Sequence, residues 1–202
     1  TRSSSVTGVQ TCALPISVSG QVLKTLTTRP DAVFIAASGT PAALPQKTLK
    51  ERGFAGKIYQ THGVANQDFL RVCGKDCDGA YLPVGPMLVA EQLPDSHPTK
   101  KNAVAFVQTL EAKYGPDSRS TFAGATWDAW LLLQNAIAGA QKAKVKAGTP
   151  EYRAALRDVI EKTSKLVGTN GVYSMAAGDH AGYDASAIVM IKVENNHWKL
   201  VK

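Results

Sequence analysis

The sequence predicts an α/β fold with a parallel sheet, on three observations. Short strand-like runs at 31–37, 57–61 and 79–82 alternate with helical segments, which is the signature of strand-helix-strand units. Glycine-containing turns follow the first two runs, at Ser38-Gly39-Thr40-Pro41 and His62-Gly63-Val64. Length and composition fit as well: 202 residues with 44% hydrophobic and 19% charged residues can bury a substantial core and are not the composition of a disordered chain.

The stretch from Asp31 to Phe69 organises the rest. Asp31 to Ala37 has the length and apolar character of a strand buried on both faces. Thr40 reads as the N-cap of the following helix and Pro41 as its first residue; Arg52-Gly53 ends it with a basic residue and a glycine cap. Two parallel strands joined by a right-handed helical crossover carry both turns to one edge of the sheet. Open α/β sheets hold ligands at that edge, so Ser38, Gly39, Thr40, Thr61, His62 and Gly63 are the candidate ligand-binding residues. Tyr59 and Gln60 are read as strand residues, at most one of them reaching a cleft.

Before this stretch, Val18 to Thr28 is a helix with Val22, Leu23 and Leu26 on one face. After it come a short helix from Asn66 to Val72 and the third strand, Gly79 to Leu82. Pro83-Val84-Gly85-Pro86 reads as a restrained crossing and Leu93 to Pro98 as a polar loop. Lys100 to Tyr114 is an amphipathic helix, and Thr121 to Lys144 the longest one, with Trp127 and Trp130 assigned to its packed side. Thr149-Pro150 opens a helix running to about Ser164. Gly168 to Gly171 is a turn before the short strand 172–174, and Asn195-Asn196 joins two final strands, 187–193 and 198–201, as a hairpin.

Several function classes drop out. The net charge of +7 comes from basic residues that sit beside acids along helix faces, so no nucleic-acid stripe is read. No apolar run is long enough to span a bilayer. No GxGxxG or GxxxxGK[ST] follows a strand, and no cofactor is expected. The four histidines are scattered without metal-ligand spacing and no GxSxG elbow occurs, so no metal site and no catalytic residues are expected; the reading is not an enzyme. Asp179-His180 and Tyr183-Asp184 are assigned to turn-building. Cys73 and Cys77, four apart, are either a short disulfide or two independent thiols. Val6 to Ile16, VTGVQTCALPI, lacks any helical or strand period and resembles a translated sequencing adapter, which would make residues 1–16 an artefactual tail, the alternative being an ordinary irregular tail.

From 17 onward, the order of elements resembles the carboxyl-terminal part of periplasmic solute-binding proteins of the branched-chain amino acid (Leu/Ile/Val) type. The carrying pieces are PDAVFIAASGTPAAL, KIYQTHGVANQDFL, DGAYLPVGP, TFAGATWDAWLLLQNAI and GDHAGYDASAIVMIKVENNHWKLVK, in that order. The resemblance implies a type I periplasmic-binding fold, with two Rossmann-like lobes and a hinge of crossing segments. Residues 17–84 and 172–202 would form the carboxyl-terminal lobe, and 85–171 a remnant of the amino-terminal one. It implies the extracytoplasmic solute-binding component of an ABC importer, or alternatively the sensory ectodomain of a receptor. The expected partners are a small-molecule solute and the ABC permease subunits. The chain would be a monomer when full length, periplasmic or extracellular, with its export signal outside this fragment. His62 falls where the amino-acid binders place an acidic residue against the ligand ammonium, which favours an aromatic acid, another carboxylate or an amide as solute. Asp128, in the family's aromatic-Asp position, would hold a hinge backbone by hydrogen bonds.

Overall fold

The computed structural model describes residues 17–201; the adapter-like tail, with Cys12, lies outside the described residues. Five strands form the principal sheet: β1 (Ala32–Ile35), β2 (Lys57–Gln60), β3 (Ala80–Val84), β6 (Val189–Glu194) and β7 (His197–Leu200), in that spatial order. The first three are parallel, with Phe34 opposite Tyr59 and Tyr59 opposite Tyr81. β6 and β7 then add antiparallel. Their turn is Asn195-Asn196, both at positive φ (51° and 61°), as a two-residue hairpin of matching twist requires.

Helices α1 (Ser19–Thr27), α2 (Ala43–Glu51) and α3 (Gln67–Cys73) pack on this sheet. Val22, Leu49, Ile35 and Ile58 close one core cluster; Phe69, Leu70, Leu82, Leu88 and Ile191 centre a larger one. Gln60, fully buried, donates to Gln46 Oε1 (3.1 Å), and Gln46 donates to the Asp76 carbonyl (2.9 Å), so both amide nitrogens find acceptors beneath α2 while Gln60 Oε1 is left without a partner. Cys73 and Cys77 are joined in a disulfide behind α3, settling the open choice between bridge and free thiols.

Three local expectations are corrected. β1 is an edge strand, and Phe34 is 63% exposed, because no described helix covers its side of the sheet; the strand is not buried on both faces. Thr40 does not cap α2: Gly39, at φ 63°, starts a 3-10 turn over Thr40–Ala42, and α2 begins at Ala43. The third strand continues through Pro83 to Val84. Pairing to β2 stops at Tyr81, so the missing proline N–H loses no bond on that side, while β6 pairs along the other.

Residues 86–92 form a 3-10 segment kinked at Val89, with Pro86 to Ala90 buried and packed by α4 (Lys100–Tyr114) and Glu91 and Gln92 exposed. α5 (Thr121–Lys142) and α6 (Pro150–Ile160) pack side by side. A small hairpin of β4 (Leu166–Val167) and β5 (Val172–Tyr173) leads back to β6. Trp127 and Trp130 are 41% and 44% exposed rather than core residues. Trp127 rests against Phe106 of α4 at 5.4 Å between ring centroids, but nothing described packs over the outer side of α5. Among the described residues no helix is long and apolar enough to cross a membrane.

Candidate functional site

The parallel strands β1 and β2 end side by side, and their turns touch. The Gly39 N–H donates to the Gly63 carbonyl at 2.9 Å. Thr61 ties the pair together: its hydroxyl donates to the Ala37 carbonyl and accepts from the Gly63 N–H at 3.2 Å. A Cβ on Gly63 would stand 2.7 Å from that of Ser38, so only glycine lets the two turns close up. This places His62 outward, exposed, at the carboxyl edge of the sheet.

A cavity of about 530 Å³ opens beside it. His62 forms one part of the wall, and Pro83, Val84 and Gly85 another, at the end of β3. Thr121, Ala125, Asp128, Ala129 and Leu132 contribute one face of α5. Asn170, Tyr173 and Met175 come from the small hairpin and its exit; His180, Ala181, Tyr183, Ala187 and Ile188 come from the loop before β6. Of the six residues expected from the sequence, His62 alone lines this cavity. Ser38, Gly39, Thr40, Thr61 and Gly63 build the paired turns that hold it, with Ser38 exposed on the rim. Neither Tyr59 nor Gln60 reaches it: Tyr59 stacks on Tyr81 at 5.6 Å, and Gln60 points into the core.

Asp128 is the organising group of the far wall. It is 2% exposed, and both carboxylate oxygens are fully used. Oδ1 accepts from the Thr169 N–H (2.6 Å) and the Thr169 hydroxyl (2.9 Å); Oδ2 accepts from the Asn170 N–H (2.8 Å) and the Tyr173 hydroxyl (2.8 Å). Four donors repay the desolvation of a buried carboxylate. They also fasten the loop 168–171 to α5, as the sequence reading of Asp128 expected. The Tyr173 phenol is held well above its ordinary pKa, first by burial and then by the charge and hydrogen bond of Asp128.

The remaining wall is mostly apolar, with two imidazoles, the Thr121 hydroxyl and the Tyr183 phenol as its polar groups. His180 Nε2 lies 3.1 Å from Glu161 Oε1 on α6. Asp179 and Asp184 build turns as expected, accepting from the Ala181, Gly182 and Ser186 N–H groups, but their neighbours His180 and Tyr183 face the cavity. The turn chemistry of the aspartates was readable in the sequence; the direction of the next residue was not. No Lys or Arg lines the cavity, and among the described residues no group of acidic, His or Cys side chains could hold a metal ion.

A family model described as "Periplasmic binding protein" matches residues 5–197. The chain belongs to that family. Among solved structures, this binding protein is similar to an extracellular ligand-binding receptor from Rhodopseudomonas palustris HaA2, at 45% identity and a TM-score of 0.85 over 93% of this chain and 52% of that one. It is similar to Rp1789 of Rhodopseudomonas palustris strain CGA009, at 41% identity and a TM-score of 0.88 over the same shares. The leucine-binding protein LivK of Thermotoga maritima shares the fold, with 21% identity and a TM-score of 0.72 over 92% of this chain and 48% of that one. The chain thus spans about half the length of these structures. No curated protein matches it. The α/β sheet described above is the type I periplasmic-binding fold, in the part of it that the chain covers.

Proposed function

We propose that the chain supplies one wall of the solute cleft of an extracytoplasmic binding component of an ABC importer. Residues 17–84 and 172–202 serve as the carboxyl-terminal lobe and 85–171 as part of the opposing one. The observation that carries this reading is the cavity itself, formed where the His62 turn, the 83–85 crossing and the Asp128-held loop converge at the carboxyl edge of the parallel strands. A solute touching groups from both lobes favours the closed arrangement, which is how hinged binding proteins respond to ligand.

The wall chemistry narrows the solute. An α-ammonium group needs an anionic partner in a desolvated site. The one carboxylate on this wall, Asp128, already takes four hydrogen bonds, and His62 stands on the opposite side. Apolar residues dominate the rest. A small carboxylate, amide or aromatic acid without an ammonium group fits better than leucine, isoleucine or valine.

Calorimetry tests both halves of the reading. The chain alone, titrated with amino acids, gives no saturable heat, because one wall cannot enclose a solute. Joined to the complementary half of the 45% identical receptor, it binds aromatic or aliphatic carboxylates at least tenfold more tightly than leucine. Leucine as the tightest ligand would overturn the solute class. In that joined protein His62→Ala weakens binding by about tenfold or more, the loss expected for a hydrogen bond to a charged group of roughly 1.5–3 kcal/mol. Unchanged affinity would remove His62 from the site.

A further inference from the structure

Tyr173 combines two properties that no other cavity residue has. Its ring forms part of the wall, meeting Tyr183 edge-on with centroids 6.4 Å apart. Its hydroxyl donates to Asp128 Oδ2 at 2.8 Å. A phenol has a single proton, and here that proton is committed; what the oxygen still offers is acceptor capacity. Asp128 cannot turn away to release it, because Thr169 and Asn170 hold both carboxylate oxygens from the backbone side.

We propose that Asp128 is a positioning residue for solute binding, which fixes the Tyr173 oxygen as a hydrogen-bond acceptor on the cavity wall and so favours solutes that bring an O–H or N–H to that point. The proposal rests on the cavity being the solute site. A free tyrosine hydroxyl would rotate to serve donor and acceptor solutes alike. A pinned one discriminates, since a solute acceptor set against it leaves two oxygens facing each other without a proton between them.

The experiment has one arm that needs no solute. In a pH titration of tyrosinate absorbance on the intact chain, one of the six tyrosines ionises later than the rest. Tyr173→Phe removes that late component, and Asp128→Asn moves it down toward the others, because the raising charge is gone while burial remains. Tyr173→Phe leaves Asp128 three donors, so it keeps the test alive should Asp128→Asn fold poorly. A late component that survives Tyr173→Phe, or that Asp128→Asn leaves in place, overturns the positioning role. The second arm uses benzoate and 4-hydroxybenzoate as probes in saturation-transfer NMR of the joined protein, which encloses the cavity. With Asp128 and Tyr173 in place it transfers several-fold more to the hydroxylated probe, and both variants lose the difference. Equal transfer to the two probes overturns the donor preference. No transfer to either probe, with the titration result intact, overturns the solute reading on which the preference rests rather than the Asp128–Tyr173 pair.

Discussion

Single side chains decide how the segments around the cavity meet. Asn170 sits between two glycines from different elements. A Cβ on Gly85 would lie 2.2 Å from Asn170 Oδ1, and one on Gly124 of α5 2.7 Å from Asn170 Nδ2. The Asn170 Oδ1 atom is buried without a hydrogen-bond partner, so its position is set by packing against the Gly85 backbone. Gly85→Ala therefore destabilises the chain by about 1–3 kcal/mol, the usual cost of overpacking. Urea midpoints measure it, and the double variant with Asn170→Ala recovers most of the loss in a mutant cycle. Full additivity of the two substitutions would show that they do not act on one contact. None of this was visible in the sequence, where Gly85 reads as part of a proline-glycine crossing and Asn170 as a turn residue. His62 was found because strand-turn logic is local. Tyr173, Tyr183, Leu132 and Met175 were not, because they reach the cavity from segments spread over more than fifty residues with no shared motif.

At the scale of elements, helix starts were the most legible feature. Thr149 accepts from the Tyr152 N–H and Asn66 from the Phe69 N–H, as their side chains predict. Gly39 took the place of Thr40 because a residue at positive φ was needed where the chain leaves β1, and that demand is not written in helix-cap preferences. The junction of α4 with α5 depends on Arg119, which donates to Glu91 (2.7 and 2.8 Å) and to Glu111 (2.7 Å). The Arg119 hydrogen bonds hold Glu91 below its ordinary pKa, against some burial. A carboxylate depressed in the folded state adds stability that is present above its unfolded pKa of about 4.3 and is lost as pH falls through the folded value. Urea midpoints of the wild-type chain should thus drop as pH is lowered from about 5 toward 3. Arg119→Met lowers stability at pH 7 and flattens that dependence, and a parallel pair of pH profiles would remove this junction as the cause.

The whole molecule presents two apolar faces that nothing described covers. One is the cross-strand row Phe34, Tyr59 and Tyr81 on the sheet, with Phe34 63% exposed at the edge strand and Lys192 continuing the row on β6. The other is the outer side of α5, where Phe122, Trp127, Trp130 and Leu133 are all substantially exposed. The α/β reading assigned Phe34, Trp127 and Trp130 to packed positions because a sequence pattern marks which side is apolar, not what will lie on it. Faces of this kind on a separate folded chain are association sites. The structures it resembles are about twice its length, and the chain on its own lacks whatever that further length contributes. The expected outcome is that the isolated chain self-associates in sedimentation velocity, with a weight-average mass that rises with concentration above 21.4 kDa. Trp130→Glu, on the exposed side of α5 and away from the Asp128 node, shifts the distribution toward monomer with little effect on the urea midpoint. Phe34→Lys acts the same way if the sheet face contributes. A chain that stays monomeric at all concentrations, or variants that leave the distribution unchanged, would show that these faces are not what associates.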